Sequence, residues 1–165
     1  SSGKTPTEMI GENILSVVAD DDHAYPNRGF WIRTIHRGLT MENNGVKKSL
    51  IAPLFHVLQE GRGSDAVKLY RDLKKSNPDD YGFNENALNI LGYYLLGKDR
   101  LDDAIKIFKL NVKEYPKAFN VYDSLGEAYM NKGDLRRAKR NYKKSIRINP
   151  ENQNGIDMLE KLSSP

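Results

Sequence analysis

Leu88-Asn89-Ile90-Leu91-Gly92-Tyr93-Tyr94-Leu95 and Tyr122-Asp123-Ser124-Leu125-Gly126-Glu127-Ala128-Tyr129 are two versions of one phrase, 34 residues apart. The same displacement persists downstream, where Ala104, Phe108 and Pro116 are answered by Ala138, Tyr142 and Pro150. The large residues fall at helical spacing, so each phrase predicts a helix with one apolar stripe. Gly92, Gly126, Ala104 and Ala138 are small where two helices of a unit cross, which lets the backbones approach closely. Pro116 and Pro150 cannot continue a helix, so they end the second one and turn the chain onward. Each unit is therefore a helix–turn–helix that must stack on its neighbours to bury its apolar face.

A fainter copy lies upstream. Ala66, Tyr70 and Pro78 precede Ala104, Phe108 and Pro116 by 38 residues. One four-residue insertion, the turn-forming Asp79-Asp80-Tyr81-Gly82, accounts for the difference. Leu54 takes the place of the crossing glycine, and Pro53 predicts a kink or a late helix start. Downstream, a helix from Gln153 puts Ile156, Leu159 and Leu162 on one face and Asp157, Glu160 and Lys161 on the other. That pattern is a cap closing the end of a stack.

The period and its large–Leu–Gly–Tyr, Ala–aromatic and Pro positions resemble the tetratricopeptide repeat (TPR). The resemblance implies an all-α TPR helix–turn–helix solenoid with repeats at 47–84, 85–118 and 119–152 and a capping helix at 153–162. Residues 1–46 lack the repeat and predict two N-terminal helices packed on the first unit. The first is capped by Thr5 with Pro6 in its opening turn, and carries Ile10, Ile14, Val17 and Val18. The second follows Pro26 with Trp31, Ile35 and Leu39 on one face and stops at Asn43-Asn44-Gly45.

Composition excludes several classes. The 165 residues are 38% hydrophobic and contain no cysteine, so there is no disulfide framework and no thiolate metal site. No apolar run approaches the roughly 18 residues of a membrane helix. The first residues do not read as a basic-then-apolar leader, and Ser1-Ser2-Gly3 leaves the start of the parent protein open. Net charge is +4, divided as −2 over residues 1–46 and +6 over the remainder. The densest run is Lys132, Arg136, Arg137, Lys139, Arg140, Lys143, Lys144 and Arg147. It reads first as the solvated outer face of the last repeat, with weak nucleic-acid binding as the alternative.

No catalytic set is present. Gly3-Lys4-Thr5 is the tail of a phosphate loop without the rest of its motif, and Ser1 and Lys4 share a Ser-x-x-Lys spacing without a pocket. His23, His36 and His56 show no ligand-like spacing, and Asp20-Asp21-Asp22 lacks the glutamate of a calcium loop. The expectation is a chain that is no enzyme, holds no metal and needs no cofactor.

What remains is a binding surface. The resemblance implies that the first helix of each unit lines a concave groove. Residues there not assigned to packing are Lys48, Ile51 and Phe55, then Asn86, Asn89 and Tyr93, then Asn120, Asp123 and Glu127. Asparagine amides offer both donor and acceptor to an extended peptide backbone. Ile51, Phe55 and Tyr93 offer apolar anchorage, and Asp123 with Glu127 suits a basic ligand. The expected partner is a protein or peptide, or a sister domain of the parent. Some TPR proteins clamp a partner's C-terminal carboxylate with Lys, Arg and Asn. Here the matching places hold Ile51, Phe55, Ile90, Asn120 and Ser124, so that role is disfavoured.

Two longer phrases, Glu85 to Tyr93 and Asn120 to Tyr129, also resemble the C-terminal TPR tails of bacterial serine hydrolases, β-lactamase-related proteins and esterases among them. That resemblance spans roughly residues 47–162. It implies an accessory module whose catalytic domain lies upstream of Ser1, in an exported bacterial protein; without it a cytoplasmic setting is expected.

Overall fold

The computed structural model describes residues 47–163, and the helices expected before residue 47 lie outside them, as do Gly3-Lys4-Thr5, the Asp20-Asp21-Asp22 turn, His23 and His36. The helices are α1 (Ile51–Glu60), α2 (Gly63–Ser76), α3 (Glu85–Gly97), α4 (Leu101–Glu114), α5 (Phe119–Asn131), α6 (Leu135–Ile148) and α7 (Gln153–Ser163). They pack as antiparallel pairs, α1 on α2, α3 on α4 and α5 on α6. The first helices of the pairs lie side by side, α1 beside α3 and α3 beside α5, while α2 packs on α4 and α4 on α5. This is the expected all-α helix–turn–helix solenoid, and α7 closes it against α6.

The crossing glycines have the anticipated cause. A Cβ on Gly92 would lie 2.3–2.8 Å from the Phe108 ring, and one on Gly126 would lie 3.1–3.2 Å from the Tyr142 ring. Both rings are fully buried, so each unit closes around a ring lying on a bare backbone. The turns between paired helices repeat as well. Asp99 (φ 55°) and Gly133 (φ 80°), 34 residues apart, both sit in the left-handed conformation that follows a helix C-cap.

The first unit departs as its sequence suggests. Helix α1 has 10 residues against 13 in α3 and α5. It starts late, at Ile51, so Pro53 falls in the first turn, where its missing N–H costs nothing and no kink is required. The insertion after Pro78 is anchored by backbone: Lys48 N–H donates to Asp80 O (2.7 Å) and Gly82 N–H to Lys48 O (2.9 Å).

Units one and two are joined by a polar clasp that the sequence reading missed. Arg100 donates to Leu58 O and to Gly61 O (2.7 Å), meeting carbonyls that the end of α1 leaves without helical partners. Asp103 accepts from Arg100 (2.8 Å), from Lys106 (3.1 Å) and from Gly63 N–H (2.9 Å), the first residue of α2. Burial opposes ionisation of Asp103, but these donors prevail and hold its carboxyl below the usual range. A Cβ on Gly63 would meet Asp103 at 3.0 Å, so the clasp also needs a bare backbone there.

The cap helix follows expectation in Leu159 and Leu162, which pack on the core, and in Asp157, Glu160 and Lys161, which are exposed. Met158 joins the core contact, whereas Ile156 is half-buried outside the core cluster. No described helix is long and apolar enough to cross a membrane.

Candidate functional site

Helices α3 and α5 are held in register by side chains from their neighbouring faces. Near one end, Asn120 donates to Glu85 Oε1 (3.1 Å). Near the other, the Tyr93 hydroxyl donates to Glu127 Oε2 (2.8 Å), with Ser124 Oγ 3.3 Å away. Asn89 and Asp123, equivalent positions in the two repeats, lie on the stretch between these links. The geometry therefore gathers Asn89, Tyr93, Asn120, Asp123 and Glu127 on two adjacent helices. Asn86 is exposed on α3, one turn from Asn89 and Ile90.

Asp123 receives a third element. Asn152, in the connection from α6 to α7, donates to Asp123 Oδ2 (2.8 Å) and lies 2.7 Å from Ser145 Oγ. Asn154, at the start of α7, also reaches Asp123 Oδ2 (3.3 Å). The other oxygen, Oδ1, is buried with no hydrogen-bond partner among the described residues, and so is Oδ1 of Asn89. Buried acceptors without donors are rare and costly. No cation pairs with Asp123 or Glu127 among the described residues.

Glu127 carries the electrostatic signature of this surplus of acceptors. Burial raises its pKa, and the Asp123 carboxylate one helical turn away raises it further, against the lowering effect of the Tyr93 hydroxyl. Tyr93 is in turn pushed well above the ordinary phenol range by burial and by Glu127. An added positive charge would relieve both carboxylates.

Three expected groove residues are corrected. Lys48 lies outside any helix, exposed, with its backbone paired to the inserted loop and its ammonium over the Tyr81 ring (5.9 Å). Ile51 and Phe55 are buried in the core, Phe55 edge-on to Tyr94 at 4.8 Å between ring centroids. Their apolar surface is spent on packing because α1 starts late and supplies few turns. Asn89 is also more enclosed than expected, at 5% exposure. Sequence reading missed Asn152 and Asn154. The only available signal was that Asn152 stands where the 34-residue period places Ala118.

Other candidates are bland. His56 is exposed on α1. Among the described residues no cluster of three His, Cys, Asp or Glu side chains could hold a metal.

Residues 119–152, which hold α5 and α6, match the tetratricopeptide repeat family. No curated protein matches the chain. Among solved structures the chain is similar to the first TPR of Spaghetti (RPAP3) bound to an HSP90 peptide, SRMEEVD. The identity is 18% and the TM-score 0.49, covering 69% of this chain and 87% of that one. It is similar to a MamA RS-1 double mutant at 17% identity and TM-score 0.49, covering 96% and 84%. It is also similar to the P58(IPK) TPR domain at 18% identity and TM-score 0.47, where it spans 41% of that chain.

Proposed function

We propose that this chain is a non-catalytic interaction module that holds a basic, extended segment of a partner protein across α3 and α5. The observation that supports the reading is the excess of acceptors there. Two carboxylates one turn apart are in no ion pair with a described residue, and buried oxygens of Asn89 and Asp123 are without donors among the described residues. A Lys or Arg side chain supplies the missing charge and donors together. Amides at Asn86, Asn89 and Asn120 suit the backbone of an extended peptide, which presents donors and acceptors regardless of its sequence. Helix packing supports the reading, since stacked helical pairs present an extended surface.

The test is capture of peptides from an array of basic, neutral and acidic segments, comparing the native chain with Asn89→Ala and Tyr93→Phe. Basic segments should be retained preferentially, and both variants should retain about tenfold less while keeping the native helical circular dichroism. Unchanged capture by both variants sinks the inner-face reading.

A second reading rests on the phrases Glu85–Tyr93 and Asn120–Tyr129 alone: the module is an accessory domain of a serine hydrolase, and the basic segment belongs to its own parent. The coding sequence upstream of Ser1 tests it, and a parent without a hydrolase domain removes it.

A further inference from the structure

The second helices of the last two repeats are built on one template but differ in charge. Helix α4 sets Asp102, Asp103 and Glu114 against three lysines, whereas α6 carries seven cations and no acidic residue. On α4, Lys106 pairs with Asp103, while Lys109 and Lys113 are in no ion pair with a described residue. Nearby, Lys74 pairs with Glu114, Arg100 with Asp103 and Lys132 with Asp102. On α6 only Arg137 has an acidic partner, Asp134. Arg136, Lys139, Arg140, Lys143, Lys144 and Arg147 are in no ion pair with a described residue. These six cations line one open cleft of about 750 Å³. Two of them, Lys139 and Lys144, stand where the preceding repeat has the buried Ile105 and Leu110.

We infer that this outer face of α6 binds the phosphate backbone of a double-stranded nucleic acid, without reading its sequence. From position 136 to 147 the helix advances roughly 17 Å. One strand of a duplex carries a phosphate about every 3.4 Å of helix axis, so that length presents about five phosphates to the row of cations. The composition of the cleft argues against a protein partner. Protein interfaces are depleted in lysine and centre on aromatic and arginine anchors in well-packed pockets. This cleft has three lysines among its six cations, and its arginines stand in an open cleft with no exposed aromatic beside them. Its single aromatic, Tyr122, is 9% exposed, and the Lys144 ammonium lies 5.8 Å from its ring centroid. The covered ring leaves no platform for stacking unpaired bases, which single-strand binders use. Nor does the cleft present an apolar wedge for a lipid surface. What it presents is charge in a row, the footprint of backbone binding. Simple solvation of the terminal repeat requires polar residues here, but not six cations along one cleft with no acidic residue on their own helix.

The experiment is fluorescence anisotropy of the full chain with a labelled duplex DNA of about 20 base pairs across a salt series. With most of the six cations engaged, affinity should fall about 10³-fold between 50 and 200 mM salt. Lys139→Gln with Lys143→Gln should lower the slope of log affinity against log salt by about two. Lys132→Gln, a cation already paired with Asp102, should leave the slope as it is. Polyglutamate and anionic lipid vesicles serve as competing polyanions. The inference is overturned by absent binding at low salt, by tighter binding of either competitor, or by a slope indifferent to Lys139 and Lys143. The inner-face reading concerns a different surface, so either can fail without the other.

Discussion

Helices α3–α4 and α5–α6 are the same 34-residue unit written twice, and the positions that changed are more instructive than those that did not. Gly, Ala, aromatic and Pro recur because each closes the unit on itself. Three sets differ. Across the inner face Asn89 becomes Asp123 and Tyr93 becomes Glu127. In the clasp Arg100 becomes Asp134, which serves its own helix, accepting from Arg137 N–H (2.9 Å) and from the Arg137 guanidinium (2.9 Å). On the second helix Asp102 and the buried Ile105 and Leu110 become Arg136, Lys139 and Lys144. The template is spent on folding, and the departures mark where each unit meets something other than itself.

The comparison breaks most visibly at the crossings. Gly92→Ala forces a methyl into the Phe108 ring and should destabilise by about 2 kcal/mol, net of the helix propensity that alanine brings. Gly126→Ala, with nearly an ångström more room, should stay within about 1 kcal/mol of the native chain. Urea midpoints of the two variants decide this, and equal losses would mean the two crossings are not distinguished by their rings.

The clasp comes next. Asp103→Asn leaves the half-buried Arg100 and the Gly63 N–H beside a weaker acceptor and should cost about 1 kcal/mol at neutral pH. Because the folded carboxyl lies below its ordinary value of 3.8, its contribution is fully present above that value and lost as pH falls through the lower folded one. The gap between native and variant chains should therefore close on acidification, as thermal melts at neutral and acid pH would show.

How much of this was legible beforehand follows the same division. The fold was readable because Gly92, Phe108, Pro116 and their partners act within one unit, at spacings that helical geometry dictates. The late start of α1 was readable from Pro53. The clasp was not, since Arg100 reaches Leu58 and Gly61 across about 40 residues and follows no period. The assignment of Ile51 and Phe55 to a groove failed for a related reason. A repeat register says which helix face a residue occupies, but not whether a short first helix must spend that face on packing. Asn152 was hard to read because it enters the site from a connection, where the period marks only that it replaces Ala118 and not what it reaches.

Smaller effects sharpen the contrast. Asp99→Gly should stabilise by about 0.5–1 kcal/mol, bringing the first turn to the glycine that the second has at Gly133. Glu127→Gln keeps an acceptor for Tyr93 and removes a carboxylate that burial and Asp123 disfavour, so it should stabilise by about 0.5 kcal/mol at neutral pH. The sign follows from its raised pKa. The native residue's contribution is fully present below its ordinary value of 4.5 and lost as pH rises through the folded value, so the variant's advantage grows with pH.

The most direct measurement is calorimetric titration of the native chain and the double variant Asp123→Asn, Glu127→Gln with three extended peptide pools that differ only in carrying Lys, Gln or Glu at one central position. The native chain should favour the Lys pool by about tenfold or more, as a charge-assisted contact requires, and the variant should bind the three pools alike. Equal binding of all pools by the native chain, or a Lys preference that survives in the variant, would contradict the claim that the inner face of α3 and α5 is built to receive a cation.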